Sequence, residues 1–164
     1  MRLALAVWLV ITLGMLTACG TTSGLSKQEL KARKAAQVKQ NLADMRFTID
    51  VRMMYPLRGV PKHLDYGYEV KIQGDSLYSH LPYFGRAYNI PYGGGKGLRF
   101  QERIVEKQVS QPKNGLTALQ IYVRNEEDDY LYYVEVWENG SASVEVRSRE
   151  RERISFSGEM KLEE

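Results

Sequence analysis

The sequence predicts a mainly β protein, a single antiparallel sheet of about nine strands closed as a barrel or folded as a sandwich, with one N-terminal α-helix. Three observations carry this prediction. From Phe47 onward, apolar residues recur at every second position in segment after segment, which is the period of a half-buried strand. Asn114-Gly115 and Asn139-Gly140 separate such segments and supply the positive φ angles that tight hairpins need. Only the stretch before Asp44 carries a helix start signal, and no segment after it shows a helical period. The composition agrees: of 164 residues 43% are apolar and 26% charged, which is globular and excludes disorder of the whole chain. A net charge of +3 is too small a basic excess for a nucleic-acid partner, and none is expected.

The helix comes first. Ser26-Lys27-Gln28-Glu29 is a capping box, in which the serine hydroxyl and the glutamate carboxylate each accept from the other's backbone amide. Leu25 and Leu30 flank it at the staple positions, and the helix should run to about Asp44. Its apolar residues Leu30, Ala35, Val38, Leu42 and Met45 make a narrow stripe on a Lys- and Gln-rich cylinder, so it docks on one side only. In the first strand Phe47, Ile49, Val51 and Met53 share a face. Further strands are expected at Tyr66–Ile72, Ser76–Ser79, Leu98–Gln101, Ile104–Val109, Leu116–Arg124, Tyr130–Trp137, Ser141–Ser148 and Arg153–Leu162. Tyr130–Trp137 is apolar on both faces, so a second cover is needed, either the helix or the long loop before Leu98.

The N-terminus reads Met1-Arg2, an apolar run from Leu3 to Met15, then Leu16-Thr17-Ala18-Cys19. Residues 1–18 are expected to be a signal peptide, because the apolar run rises only about 20 Å as a helix, short of a ~30 Å hydrocarbon core. Leu16–Cys19 resembles the bacterial lipobox. That resemblance implies a diacylglycerol on the Cys19 sulfur and an acyl chain on its amino group, with residues 19–25 as anchor and tether. Residues 26–164 then form one helix-plus-β domain of ordinary size. Several acyl chains hold a protein stably at a membrane, where one holds it marginally. Cys19 is the only cysteine, so no thiol is left for catalysis, a metal or a disulfide. By resemblance to lipoprotein sorting rules, Gly20 in place of Asp disfavours inner-membrane retention. Thr21-Thr22-Ser23-Gly24 also lacks the acidic cluster of surface-export signals. A lipid-anchored, periplasm-facing position on the outer membrane is expected.

The segment richest in special residues lies between Asp75 and Gly97. It holds Tyr78, Tyr83, Phe84, Tyr88 and Tyr92, two prolines and several glycines, so it reads as a shaped loop rather than regular structure. In one role it is a rigid recognition surface for a protein, a peptide or a glycan, with Tyr83, Phe84, Tyr88 and Tyr92 as its rings and Arg86 as its polar handle. In the other it folds over the open end of the barrel and plugs the core. A split is expected, with Phe84 as the buried anchor and Tyr88 or Tyr92 exposed, because Phe has no hydroxyl to keep wet.

Other constellations are weaker. Gly93-Gly94-Gly95-Lys96-Gly97 is not a phosphate loop: Ile90 stands where the first Gly belongs, Gly97 where Ser or Thr belongs, and no helix follows. His63 and His80, the only histidines, lack zinc-site spacing, and no metal or cofactor is expected. Glu126-Glu127-Asp128-Asp129 reads as a solvated turn that keeps two apolar strands soluble. Arg147, Arg149, Arg151 and Arg153 recur at every second position and on one strand would share a face suited to lipid phosphates, but the charged run reads better as the hairpin before Ile154. No Gly-x-Ser-x-Gly elbow exists. The function expected is therefore a non-enzymatic envelope module, binding or structural. The alternative is a carboxylate-dependent hydrolase, with Asp75 and Glu102 as one such pair.

Phe47-Thr48-Ile49, Tyr55-Pro56-Leu57-Arg58-Gly59, Gly74-Asp75, the string from Leu81 to Tyr88, Gly140-Ser141-Ala142 and Ile154-Ser155-Phe156-Ser157-Gly158 together resemble the domain-of-unknown-function family numbered 4251. The resemblance runs from about Leu42 to Met160, and Leu81–Tyr88 is its most specific part. It implies a Bacteroidota lipoprotein with a single folded domain, and it brings no activity with it.

Overall fold

Helix α1 (Lys27–Ala43) opens on the capping box: the Ser26 N–H donates to Glu29 Oε2 at 2.7 Å and the Glu29 N–H to Ser26 Oγ at 3.2 Å. It stops where Met45 turns left-handed (φ 51°) and its N–H reaches back to the Leu42 carbonyl. The computed structural model describes residues 26–89 and 96–162. From Lys31 onward these pack as one unit. Of the helix stripe only Val38 is fully buried; Leu42 and Met45 pack partly against the core.

Nine strands follow: β1 (Arg46–Pro56), β2 (Lys62–His63), β3 (Glu69–Gln73), β4 (Ser76–Leu81), β5 (Leu98–Lys113), β6 (Leu116–Arg124), β7 (Asp129–Trp137), β8 (Ser141–Ser148) and β9 (Ile154–Met160). All pairings are antiparallel, and from β3 to β9 each strand pairs with the next in sequence. β9 returns to β1 along Ile49–Pro56, while the other edge of β1 takes β3 along Arg46–Asp50 and then β2 at Met53 and Met54. The sheet is thus a closed barrel of eight strands, with β2 as a short ninth on the far half of β1. Closure decides for a barrel over a sandwich.

Several strand limits differ from the sequence reading, each for a local reason. Leu98–Gln101 and Ile104–Val109 are one strand, bent by a bulge between Ile104 and Glu106. Tyr66 and Gly67 stand in a turn before β3, with Gly67 at φ 100°. A second bulge, between Val51 and Met53 in β1, moves the inward face over by one residue, so that Met54 is fully buried and Met53 only half so. Gly158 lies opposite this bulge, where a Cβ would stand 2.0 Å from the Asp50 carbonyl oxygen. Only glycine permits β1 and β9 to approach so closely there.

The inward faces of the eight barrel strands are mainly apolar, with Ser79 the buried polar side chain of β4, and Tyr130, Tyr132, Phe156, Met54 and Leu119 are among the largest fully buried side chains. Tyr132 donates to Ser79 Oγ at 2.9 Å, which donates to the Leu98 carbonyl at 2.8 Å, so the buried hydroxyls are satisfied. A filled eight-stranded barrel leaves ligand chemistry to its ends and outer surface. Among the described residues, the cover over the middle of the outer face of β7 comes from the neighbouring strands, not from the helix or the loop expected there. Leu131 and Tyr133 of β7 lie half-buried among the outward side chains of β6 and β8, with the Arg147 guanidinium 4.6 Å from the centre of the Tyr133 ring. An arginine's long stem does the covering.

Candidate functional site

Helix α1 packs at the barrel end that carries the β3–β4 and β7–β8 turns: Gly74 donates to the Met45 carbonyl, and Gly140 lies against Lys34 and Val38. In an up-and-down barrel alternate turns lie at opposite ends, so the β4–β5 loop, the β6–β7 turn and the β8–β9 turn share the other one. Among the described residues, fully buried charge is confined to that end. Arg151, Glu152 and Asp128 are all buried there.

Arg151 is held on every side. Its Nη1 donates to Tyr130 Oη at 2.8 Å and lies 3.5 Å from Asp128 Oδ2; its Nη2 is 3.3 Å from Glu127 Oε2. Asp128 in turn accepts backbone N–H groups of Asp129, Arg149 and Glu150, while the Asn125 carboxamide oxygen accepts those of Glu127 and Asp128. The β6–β7 turn and the β8–β9 turn are therefore locked to each other. The acidic run is not the solvated turn expected from the sequence: Asp128 and Glu127 face inward to neutralise one arginine. The alternate arginines do not share a strand face either. Arg147 pairs with Glu145 and Arg149 lies in the turn near Asp129, while Arg151 is buried and Arg153 reaches Glu145.

The aromatic loop is tied to this network. Ala87 and Arg151 form an isolated β-bridge, the Tyr88 N–H donates to the Glu150 carbonyl at 2.7 Å, and the Glu152 N–H donates to the Arg86 carbonyl at 3.0 Å. Glu152 Oε2 accepts the Arg86 N–H at 3.2 Å, and its Oε1 is 3.3 Å from Arg58 Nε in the β1–β2 loop. Tyr83 Oη donates toward the carbonyls of Arg86 and Glu152, at 2.8 and 3.0 Å. Burial, and after it the Glu152 charge, pushes the Tyr83 phenol up to about 12. Gly85 is where the loop folds over this phenol, since a Cβ there would stand 2.6 Å from Tyr83 Oη.

The loop is split, with Tyr88 exposed as expected, but its anchor is not Phe84. Tyr83 is the anchor, because its hydroxyl finds two carbonyls, and Phe84 is 49% exposed. The Lys62 ammonium sits 3.9 Å above the Phe84 ring, which holds the ring at the surface. Tyr88 is 69% exposed, and the exposed Arg86 guanidinium has no ion-pair partner among the described residues. Leu57, Val60 and Tyr66 of the neighbouring β1–β3 connection are exposed as well, and Arg52 lies over the Tyr66 ring at 5.7 Å. Tyr92 and Cys19 lie outside the described residues. Sequence reasoning found the loop but missed Arg151, Glu152, Asp128 and Tyr130 beneath it. The one signal available was Arg151-Glu152 directly before a buried strand, a place where charge is costly unless paired.

The carboxylates proposed for acid–base work do not meet. Asp75 is exposed and bonds Lys107 at 2.8 Å, which holds its carboxyl below the usual range. Glu102 is opposite Leu77 on the β4–β5 ladder. His63 and His80 are both exposed, and His80 stacks edge-on against Tyr68. Among the described residues no helix is long and apolar enough to cross a membrane.

A family model, "Domain of unknown function (DUF4251)", matches residues 29–160. The chain is similar in fold to the crystal structure of a DUF4251 family protein from Bacteroides eggerthii DSM 20697, with a TM-score of 0.64 at 13% identity over 83% of this chain and 92% of the other. No curated protein matches the chain.

Proposed function

The chain belongs to the DUF4251 family, whose description names no activity, and on the residues themselves we propose that it is a non-enzymatic cell-envelope lipoprotein that holds a partner at the loop end of its barrel. The observation that carries this is the pairing of a rigid support with an exposed rim. Tyr83, Glu152 and Arg151 pin the loop by side-chain and backbone bonds, and what the pinned loop presents outward is Phe84, Arg86 and Tyr88. Exposed aromatic groups on a pre-organised backbone lose little entropy on binding, which is how interface hot spots gain their strength. The buried carboxylates argue against hydrolysis, since Asp128 and Glu152 are committed to arginines and backbone donors.

In this reading Cys19 carries the lipid and the barrel faces the periplasm from the outer membrane. The partner is a protein, a peptide or a glycan, met at Leu81–Tyr92. Mass spectrometry of the mature N-terminus tests the anchor; a chain that begins elsewhere, or an unmodified Cys19, refutes it. Crosslinking from the rim, compared between the parent and a Phe84→Ala, Tyr88→Ala double variant, tests the surface. Adducts of equal yield in both would refute the assignment of the rim.

A further inference from the structure

Between α1 and the projecting half of the β5–β6 hairpin lies a cleft of about 440 Å³. β4 pairs with β5 only from Leu98 to Arg103, so beyond the bulge β5 is held by β6 alone, and every residue from Val105 to Lys113 is exposed. The register sets what this arm shows to the helix. Val109 is opposite Leu119, so it shares the face of the buried residues of β6, yet it is 53% exposed. It forms one wall of the cleft, Ala35, Val38 and Leu42 form the other, and Leu116 and Val136 complete the apolar lining.

The charge at the cleft is lopsided. Lys39 on the helix and Lys113 at the end of β5 both line it, both are exposed, and neither has an ion-pair partner among the described residues. Glu138 is the one acid among the described lining residues, and it lies against Gly115 in the neighbouring turn. A slot with apolar walls, a polar rim that includes Gln111, Asn114 and Thr117, and two ammonium groups without ion-pair partners complements a molecule with one greasy chain and one negative head. The volume is within the range of small-molecule sites, roughly 300–1,000 Å³. A helix fastened by Val38, with Leu42 and Met45 only partly covered, can give way to admit a chain.

We propose that this cleft binds a single-chain anionic amphiphile of the fatty-acid class, with the chain between α1 and the β5–β6 arm and the carboxylate at Lys39 and Lys113. The methylenes supply affinity through burial, and the lysines choose the sign of the head. The site is at the opposite end of the barrel from the aromatic rim and does not depend on it.

The test is calorimetric titration of the full chain with dodecanoate below its micelle-forming concentration, with dodecyltrimethylammonium as the reversed-charge probe. Saturable binding of dodecanoate is expected, with the cationic probe about tenfold weaker or more. Val109→Trp fills the cleft from an exposed position and should abolish binding; because it carries the same N-terminal segment as the parent, it also controls for chain uptake there. Lys39→Glu with Lys113→Glu should weaken dodecanoate about tenfold or more and narrow the gap to the cation; these exposed changes keep the test decisive if Val109→Trp disturbs the hairpin. No saturable binding, equal affinity for both head charges, or dodecanoate binding unchanged by the lysine reversals would overturn the proposal.

Discussion

The two ends of the barrel are closed by different physics. At the α1 end the helix and the turn that ends it lay Val38, Leu42 and Met45 on the rim, with the Asn41 amide reaching toward Met160. At the loop end three connections are tied together by Arg151, Asp128, Glu127, Glu152 and Tyr83, through directional bonds at 2.7–3.5 Å. Apolar contact is tolerant of small shifts, whereas a buried ionic network has one good arrangement and penalises all others. The lesson is that this molecule puts rigidity where it presents an aromatic surface and plasticity where a cleft can open.

The largest effect should come from removing the hub of the rigid end. Arg151→Ala leaves Asp128 and Glu127 facing inward without their cation, and should cost about 3–5 kcal/mol in urea unfolding. Amide exchange should also rise in the Arg86–Tyr88 loop, which hangs from the same network. A loss below about 1 kcal/mol would show that the two ends do not differ as described. At the plastic end, Val38→Ala removes two buried methyl-sized groups and should cost about 1.5 kcal/mol, with exchange rising in α1 but not in β1–β9.

Smaller again is Tyr83→Phe, which deletes the phenol's bonds to the Arg86 and Glu152 carbonyls and should cost about 0.5–1.5 kcal/mol. The same phenol sets an alkaline limit. An unfolded tyrosine ionises near pH 10, and the folded Tyr83 is pushed up to about 12, so the fold favours its neutral form. Tyr130 and Tyr132 are pushed up for the same reason, burial. The Tyr83 contribution is fully present below pH 10 and is lost as pH rises through about 12. Unfolding should therefore coincide with a rise in tyrosinate absorbance, and Tyr83→Phe should lessen the alkaline slope. The smallest change expected is Phe84→Ala, within about 0.5 kcal/mol of the parent, because the ring is half in solvent. A thermal shift as large as that of Arg151→Ala would make Phe84 a plug after all.

What was readable in the chain followed from local rules. The capping box and the ends of α1, the alternation of β6 and β8, and the Asn-Gly turns at positive φ depend on neighbours a few residues away, and all stand where the sequence places them. The family resemblance and the aromatic loop were legible for the same reason, as short strings of unusual residues. The bulge that turns Met54 inward was not, because it is set by the close approach of β1 to Gly158, more than a hundred residues further on.

The candidate site divides in the same way. Its rings are visible in the sequence; which ring is anchor and which is surface depended on whether a partner waited for the hydroxyl. Tyr83 is anchored because barrel closure brings the Glu152 carbonyl to it, and Phe84 stays outside because Lys62 of the short β2 meets it there. Arg151 and the acidic turn likewise read as surface charge one by one and became a buried network only when β6–β7 and β8–β9 met. Hydrophobic period is a property of a segment, so the sequence determined a helix and a train of strands by itself. Closure of the barrel, charge pairing across it and the cleft beside α1 depend on strand neighbours far apart in the chain, and those only the tertiary structure could decide.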